Sequence, residues 1–292
     1  MPRIEDEFIR KHYSTRLQEW IDEYENPSGY PFTRIRLTRV IKYLKDNAIQ
    51  PQSILDIGCG VGIPSMEIAQ PTCSIYGFDL SPELVDYACA RAKRLNLSAE
   101  YIVGSVTDPS AYPDRLFELV IAFGVFQHIT DDLAVLSHIK QHLAPNGLVV
   151  LSLRNPLFAL VTFNRPSYEL FGELFKEFLQ SEDGPILDNF LKSKFDLSLP
   201  PLRSGGESSP HLDDLVYRYH NPLTVKDLLA QVTLTPIHMD FYRHHATPPM
   251  LEKHAPERFK TLSLELDARV NDWRSMFLCS TYLVYCRHTG EK

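Results

Sequence analysis

Short apolar runs alternate with amphipathic stretches from residue 53 onward. The runs hold few charged residues, which is typical of strands buried on both faces of a sheet. The predicted strands are Ile54–Ile57, Ser74–Phe78, Glu100–Val103, Phe117–Phe123, Leu148–Leu153, Leu234–Phe241 and Met276–Cys286. Helical spacing between the first five runs predicts a doubly wound α/β fold, with a mostly parallel sheet and helices on both faces.

The regions outside this alternation predict two further parts. Residues 1–50 have helical periodicity and are predicted to form an N-terminal helical cap. Residues 51–155 and 220–288 form the core, and residues 156–219 an insertion after strand five. An aromatic helical face in the insertion, which includes Phe171 and Phe175, predicts a lid that binds substrate or a dimer contact.

One helix of the cap has a basic set beside its apolar residues. The basic residues are Arg34, Arg36, Arg39, Lys42 and Lys45. We interpret them as a solvated face of an amphipathic helix, with binding of an acidic ligand as the alternative.

Composition narrows the class of protein. The chain has 292 residues, 44% hydrophobic and 23% charged, with a formal net charge of −7. These values exclude disordered and fibrous classes, and the negative charge disfavours nucleic acid as a partner. No apolar run is long enough to span a membrane. Five cysteines without CxxC spacing predict reduced core thiols in a cytoplasmic protein rather than disulfides or a zinc site.

The residues that are candidates for ligand binding lie where the first and second predicted strands end. Ile54–Gly62 reads ILDIGCGVG, and Asp79 stands at the end of the next predicted strand. Glycines at such a bend allow positive φ and a close approach of the backbone to a ligand. A carboxylate about twenty residues later can accept hydrogen bonds from both hydroxyls of a ribose.

Two residues argue against a dinucleotide at this bend. Ile63 follows the glycines where a dinucleotide fold would have its third glycine. Asp56, two residues before the first glycine, would repel a pyrophosphate but suits a cation. A ligand with an adenosine and a positively charged end fits better, and S-adenosylmethionine is such a ligand.

Four segments together resemble the class I S-adenosylmethionine-dependent methyltransferases, in order and in spacing. They are Ile54–Gly62, Asp79–Ser81, the fourth-strand motif at 117–129, and the turn with the fifth strand at 143–148. The resemblance covers about residues 50–155 and is weaker over 220–286. It implies a seven-stranded Rossmann-like sheet with an antiparallel last strand, and S-adenosylmethionine as cofactor.

The resemblance also implies positions for the cofactor. Asp56, Gly58, Cys59 and Gly60 would border its methionine end, and Asp79 would take the ribose hydroxyls. The other implied contacts are Leu80, Ser105 and Val106 at the adenine, Phe123 and Gly124 at the methionine, and Tyr13 closing from the N-terminal helix. Many family members have an acidic residue after strand three, where this chain has Ser105.

On the acceptor side, His128 is the predicted catalytic base, with a loop-holding role as the alternative. The predicted substrate contacts are Phe126, Asn155, His220 and His245. The sequence has no HExxH pair of histidines, so we predict no metal site. It also lacks, after strand four, the Asp/Asn-Pro-Pro-Tyr/Phe motif that is typical of enzymes methylating amines of nucleic acids. The expected function is methyl transfer to an oxygen or nitrogen of a small molecule such as a sugar, by a possible homodimer. A non-catalytic cofactor-binding partner and an NAD-dependent oxidoreductase are the alternatives.

Overall fold

The computed structural model describes residues 4–27, 30–198, 218–269 and 272–288. Within them the chain forms seven strands, all of which join one sheet. The strands are β1 (Ser53–Ile57), β2 (Ser74–Asp79), β3 (Ser98–Val103), β4 (Phe117–Phe123), β5 (Leu143–Arg154), β6 (Leu234–His244) and β7 (Cys279–His288). The sheet order is β3-β2-β1-β4-β5-β7-β6. The predicted fold class is confirmed.

The first five strands pair in parallel. The strand order reverses at β1, which has β2 on one side and β4 on the other. Parallel sheets bind ligands outside the carboxyl ends of their strands at such a switch point. The bend after Ile57 and the end of β2 therefore lie where the sequence predicts a ligand.

Helices connect and flank the strands. They are α1 (Ile4–Ser14), α2 (Leu17–Glu25), α3 (Phe32–Asp46), α4 (Ile63–Ile68), α5 (Pro82–Arg94), α6 (Asp132–Gln141), α7 (Arg165–Leu174), α8 (Lys176–Leu179), α9 (Gly184–Lys194), α10 (Val225–Ala230), α11 (Pro256–Asp267) and α12 (Ser275–Leu278). Two caps follow the sequence. The Ser81 hydroxyl accepts from the Leu84 N–H at 3.3 Å, and the Asp131 carboxylate accepts from the Ala134 N–H at 3.0 Å.

Two strands begin three or more residues away from their predicted starts. β5 begins at Leu143 rather than Leu148, and it contains the predicted turn at 145–147. The pairing shifts there, because Phe117 pairs with Leu143 but Leu119 with Leu148, so the extra residues form a bulge. The apolar run at 276–278 is helical, and β7 begins only at Cys279. Periodicity alone does not distinguish a short apolar helix from a strand.

The chain divides into two compact units. The first comprises residues 1–154, 208–240 and 282–292, and the second comprises residues 155–207 and 241–281. The described part of the insertion is helical and belongs to the second unit, which also takes residues 241–281. None of the helices in the described ranges has the length and apolar character that a membrane crossing requires.

The cysteines are free thiols, as predicted. Four are buried, namely Cys59, Cys73, Cys279 and Cys286. Cys89 is exposed, so the prediction of a core position was wrong for this residue. It lies on α5, whose apolar face is formed by Leu84, Val85, Ala88 and Ala92.

Gly62 is one of the glycines at the bend that packing requires. Its φ is +69°, and a Cβ there would lie 2.8 Å from Met66 Cε and 3.0 Å from both Ala88 Cβ and Tyr101 Cζ. Gly60 has φ +52° but nothing within 4 Å of its Cβ position. The two positions therefore share backbone strain and differ in crowding.

We expect Gly62→Ala to lower the free energy of unfolding by about 2–4 kcal/mol, since strain and overpacking add. Gly60→Ala, the matched control, carries the strain alone and should cost about 1–2 kcal/mol. Urea unfolding of both variants measures the difference. Equal losses would contradict the packing argument.

Candidate active site

The bend after β1 brings backbone N–H groups to the carboxyl edge of the sheet. Gly58 and Gly60 have φ values of +65° and +52°. A Cβ on Gly58 would lie 2.5 Å from Val125 Cγ2, so the loop after β4 packs directly on this glycine. Gly60 instead borders open space. The backbone is thus bare at the position where the sequence predicts the cofactor.

Asp79 fixes this bend from the neighbouring strand. Its Oδ2 accepts from the Gly60 N–H at 2.9 Å, and its Oδ1 accepts from the Ser81 N–H at 2.9 Å. Burial raises the pKa of the carboxyl, although the backbone N–H groups favour its charged form. Each carboxylate oxygen has more than one acceptor site, so Asp79 retains capacity for ribose hydroxyls.

Asp56 is a second buried carboxyl, with 2% of its surface exposed. The Ser65 hydroxyl donates to its Oδ2 at 2.5 Å and lies 3.0 Å from the Tyr101 hydroxyl. Burial, with the nearby charge of Asp79 as a lesser cause, raises the pKa of Asp56 to about 7. A cation at the bend would favour the ionised form of this carboxyl.

Arg36 of α3 is buried against the same region, with 7% of its surface exposed. It donates to the Tyr24 hydroxyl at 2.6 Å, and its guanidinium carbon lies 4.8 Å from the centre of the Phe123 ring. Its Nη1 lies 3.9 Å from the Cβ position of Gly124. The interpretation of Arg36 as part of a solvated face was wrong. Its spacing of four from Val40 and eight from Leu44 places it on the buried face.

The N-terminal helix α1 contacts the loops that follow three strands. The Ser105 hydroxyl donates to Asp6 Oδ2 at 3.2 Å, after β3. The Ser14 and Ser81 hydroxyls lie 2.8 Å apart, after β2. The Tyr13 hydroxyl lies 2.9 Å from His128 Nε2, after β4. These contacts bring Tyr13 and Ser105, both predicted cofactor contacts, to the same edge of the sheet.

The remaining predicted cofactor residues lie along that edge. Leu80 directly follows Asp79 and is half-buried. The Val106 carbonyl accepts from the Tyr112 hydroxyl at 2.8 Å. Burial raises the pKa of the Cys59 thiol well above its usual range, so the thiol is a packing group rather than a nucleophile.

His128 has two hydrogen-bond donors at one ring nitrogen. Its Nε2 lies 2.9 Å from the Gln127 side-chain nitrogen as well as from the Tyr13 hydroxyl. The Gln127 oxygen accepts from Arg154 Nε at 2.9 Å, which orients the amide nitrogen toward His128. The lone pair on Nε2 is therefore occupied by donors, an arrangement that ties α1 to the loop after β4. The base role of His128 stays a prediction.

The two predicted substrate residues of the second unit have their own partners there. The Asn155 amide donates to the Met276 and Cys279 carbonyls, each at 2.8 Å, and its oxygen accepts from the Leu157 N–H. These bonds make Asn155 an anchor of the chain. The His245 ring packs between Phe158 and Phe259. Burial lowers the pKa of His245 to about 3, so the ring is neutral.

Phe126 and His220, the other two predicted substrate residues, lie in the first unit. Phe126 is buried and contacts the ring of His220 edge-on. Sequence reasoning missed several residues that contact the acidic bend or orient His220. Arg36, Tyr24 and Ser65 surround the acidic bend, and Asp132 binds His220. Arg36 and Ser65 could have been found from helical spacing, whereas the pairing of Asp132 with His220 spans 88 residues and left no sequence signal.

Comparison with known proteins agrees with this geometry. Residues 54–147 match the family described as a methyltransferase domain. Over 108 residues the chain is 32% identical to a ubiquinone biosynthesis O-methyltransferase of Xanthomonas campestris, covering 37% of this chain and 45% of that protein. A protein of the same name from Cereibacter sphaeroides is 34% identical over 105 residues, with 35% and 42% covered. The chain thus spans about half the length of the curated relatives it matches.

Solved structures extend the fold comparison over the whole chain. A magnesium protoporphyrin IX methyltransferase from Synechocystis, solved with S-adenosylhomocysteine, has a TM-score of 0.56 at 13% identity, with 96% and 98% of the two chains covered. The N-methyltransferase NodS of Bradyrhizobium japonicum has a TM-score of 0.52 at 15% identity, with 96% and 100% covered. The chain has the fold of the class I S-adenosylmethionine-dependent methyltransferases. Within that fold, residues 54–147 are the segment that matches a methyltransferase domain.

The cofactor that goes with this domain is S-adenosylmethionine, and the residues present fit it. The open space at Gly60 leaves the backbone accessible, and Asp79 offers acceptors for a ribose. Buried carboxyls favour a ligand with a positive charge over one with phosphates. No group of three or more metal-ligating side chains occurs within the described ranges.

We expect Asp56→Asn to stabilise the cofactor-free protein more at pH 8 than at pH 5. From about pH 4 to 7 the unfolded chain loses the Asp56 proton while the folded chain keeps it. Wild-type stability therefore falls over this window, and the variant lacks that loss. The gain should be on the order of 2–3 kcal/mol larger at pH 8, because about two of the pH units between pH 5 and pH 8 lie below the folded pKa.

Urea unfolding at both pH values measures this difference. Asp267, whose pKa burial also raises to about 7, is present in both proteins and cancels. A difference between variant and wild type that does not change with pH would contradict the burial of an ionisable Asp56.

Proposed function

We propose that this protein transfers the methyl group of S-adenosylmethionine to an oxygen or nitrogen of a small molecule. The observation that carries the proposal is the bare bend at Gly60, held by the Asp79 carboxylate and backed by the buried Asp56 carboxyl. When bound, S-adenosylmethionine supplies an electrophilic methyl group on a positively charged sulfur. Residues of the first unit then position this group and the acceptor.

Asp79 would accept from the ribose hydroxyls while keeping its bonds to the backbone of the bend. Leu80 would pack on the adenine, and Ser105 with Val106 would lie at its edge. Ser105, in the loop after β3, is bonded to Asp6 of α1. The position of α1 and the order of this loop at the adenine would therefore be coupled.

Arg36 would bind the carboxylate at the amino-acid end of the cofactor. It is the buried cation beside Phe123 and Gly124, the two residues predicted to face the methionine. A guanidinium binds a carboxylate through charge-assisted hydrogen bonds. Packing on the Phe123 ring and bonding to Tyr24 hold it in place before the ligand arrives.

Positioning would supply most of the rate. Holding two reactants in a near-attack geometry removes about 7–11 kcal/mol of the barrier. The relatives that match about 105 residues of this chain are named ubiquinone biosynthesis O-methyltransferases, which supports an oxygen acceptor. A general base matters mainly for hydroxyl acceptors, where it adds about 10²–10⁴ in rate.

We expect S-adenosylhomocysteine and 5′-methylthioadenosine to bind the wild type by calorimetry. Asp79→Ala should weaken both ligands by about 10–100-fold, because both carry the ribose and each charge-assisted bond is worth about 1.5–3 kcal/mol. Asp86→Ala, which removes an exposed carboxylate from the adjacent helix, is the control and should change neither. No binding to the wild type would overturn the cofactor, and normal binding to Asp79→Ala would overturn the ribose position.

We expect Arg36→Ala to weaken the binding of one of these two ligands much more than that of the other. S-adenosylhomocysteine has the amino-acid carboxylate and should bind about 10–100-fold more weakly. 5′-Methylthioadenosine lacks it and should change less than about threefold. Lys42→Ala removes an exposed cation of the same helix and serves as the control. Equal weakening of both ligands would mean that Arg36 acts through the fold instead.

A further inference from the structure

The imidazole of His220 is buried at the carboxyl end of β5, with 6% of its surface exposed. Its backbone N–H donates to the Arg154 carbonyl at 2.9 Å, and its carbonyl accepts from the Tyr282 hydroxyl at 2.9 Å. The ring meets Phe126, in the loop after β4, edge-on at 6.0 Å between centres. His220 therefore lies at the carboxyl edge of the sheet, against the loop after β4. Phe123 and Gly124, where the methyl end of the cofactor is proposed to lie, come two to three residues before Phe126 in the chain.

Asp132 orients this ring. Its Oδ2 lies 3.2 Å from His220 Nε2, and the carboxylate is itself 7% exposed. The same oxygen accepts from Arg218 Nη1 at 2.8 Å, and that guanidinium also donates to the Ile129 carbonyl. A carboxylate held by a guanidinium only accepts, so the neutral imidazole carries its hydrogen on Nε2. The lone pair is then on Nδ1, which has no hydrogen-bond partner among the residues that the structure describes.

The histidine predicted as base is arranged in the opposite way. His128 Nε2 faces the Gln127 amide nitrogen and the Tyr13 hydroxyl, so its lone pair holds two donors. Taking a proton there would require both donors to move. His220 presents its lone pair without that obstacle.

We propose that His220 is the general base of the methyl transfer, that Asp132 positions it, and that the acceptor is a phenol-type hydroxyl. This inference rests on the proposed function. His220 Nδ1 takes the hydroxyl proton while an oxygen lone pair forms the new O–C bond. The C–S bond breaks, and its electron pair stays on sulfur, which becomes a neutral thioether. The positive charge passes to the imidazolium, where Asp132 balances it.

We choose a phenol as the acceptor class by comparing the pKa of the acceptor hydroxyl with that of an imidazole base. An imidazole has an ordinary pKa of about 6.5 and a phenol one of about 10, a gap that a base can bridge in a transition state. An aliphatic alcohol is a far weaker acid. An amine attacks through its own lone pair and needs no base at this point.

A purely structural role would require only the Nε2 bond to Asp132. Leaving the other ring nitrogen buried and unbonded costs free energy, because that nitrogen loses its hydrogen bond to water. A side chain with one donor and no basic lone pair would anchor the segment without that cost. Glutamine is such a side chain, because its amide nitrogen reaches about as far as Nε2 of histidine, and it provides the matched variant.

The test compares His220→Gln with wild type at pH 8, using phenol and 4-nitrophenol as acceptors. 4-Nitrophenol is largely ionised at this pH and has no proton to give. We expect kcat for phenol to fall by about 10²–10⁴ and kcat for 4-nitrophenol to fall less than about tenfold. The affinity for S-adenosylhomocysteine should stay within threefold. His128→Gln should show no such dependence on acceptor acidity.

Equal losses of kcat on both phenols, or no loss, would overturn the base role of His220. Turnover of neither phenol by a wild type that binds S-adenosylhomocysteine would overturn the acceptor class. Failure to bind S-adenosylhomocysteine would overturn the proposed function itself.

A second measurement needs no acceptor. Long-range ¹H–¹⁵N spectra of ¹⁵N-histidine-labelled protein at pH 8, assigned with His220→Gln and His128→Gln, report which ring nitrogen carries hydrogen. We expect hydrogen on Nε2 of His220 and on Nδ1 of His128. Asp132→Asn should remove the preference at His220 only. Hydrogen on Nδ1 of His220 in the wild type would contradict the proposal.

Discussion

Two carboxyls at the ends of neighbouring strands, Asp56 buried and Asp79 half-buried, determine what this site can bind. Asp56 in β1 and Asp79 at the end of β2 both lose solvation, and the charge of Asp79 makes ionisation of Asp56 still less favourable. Backbone N–H groups of the bend compensate Asp79, and Ser65 compensates Asp56. The result is a region with two carboxyl groups beside a bare backbone. Such a region repels phosphates and favours a cationic nucleoside.

The N-terminal helices bring a positive charge to this region and contact the loops around it. Arg36 enters from α3 and brings a buried guanidinium to the methionine side of the bend, while Asp6, Tyr13 and Ser14 bond α1 to the loops after three strands. A cofactor below these contacts would be shielded from water, which strengthens every electrostatic interaction inside.

The sequence predicts the parts of this account that depend on neighbouring residues. Strand alternation, the glycine bend and Asp79 follow from local pattern, and the structure has each where expected. Local pattern does not reveal partners that are distant along the chain. Arg36 reads as one cation of a basic helix until tertiary packing buries it, and nothing near His220 indicates Asp132. The short helix before β7 was missed because its apolar residues suit either structure.

A crystal structure with bound S-adenosylhomocysteine tests the central claim most directly. The account predicts the adenosine against the bend at Gly60, both ribose hydroxyls on the Asp79 carboxylate, and the amino-acid carboxylate on the Arg36 guanidinium. A ligand bound elsewhere, with side chains filling the space at Gly60, would contradict it.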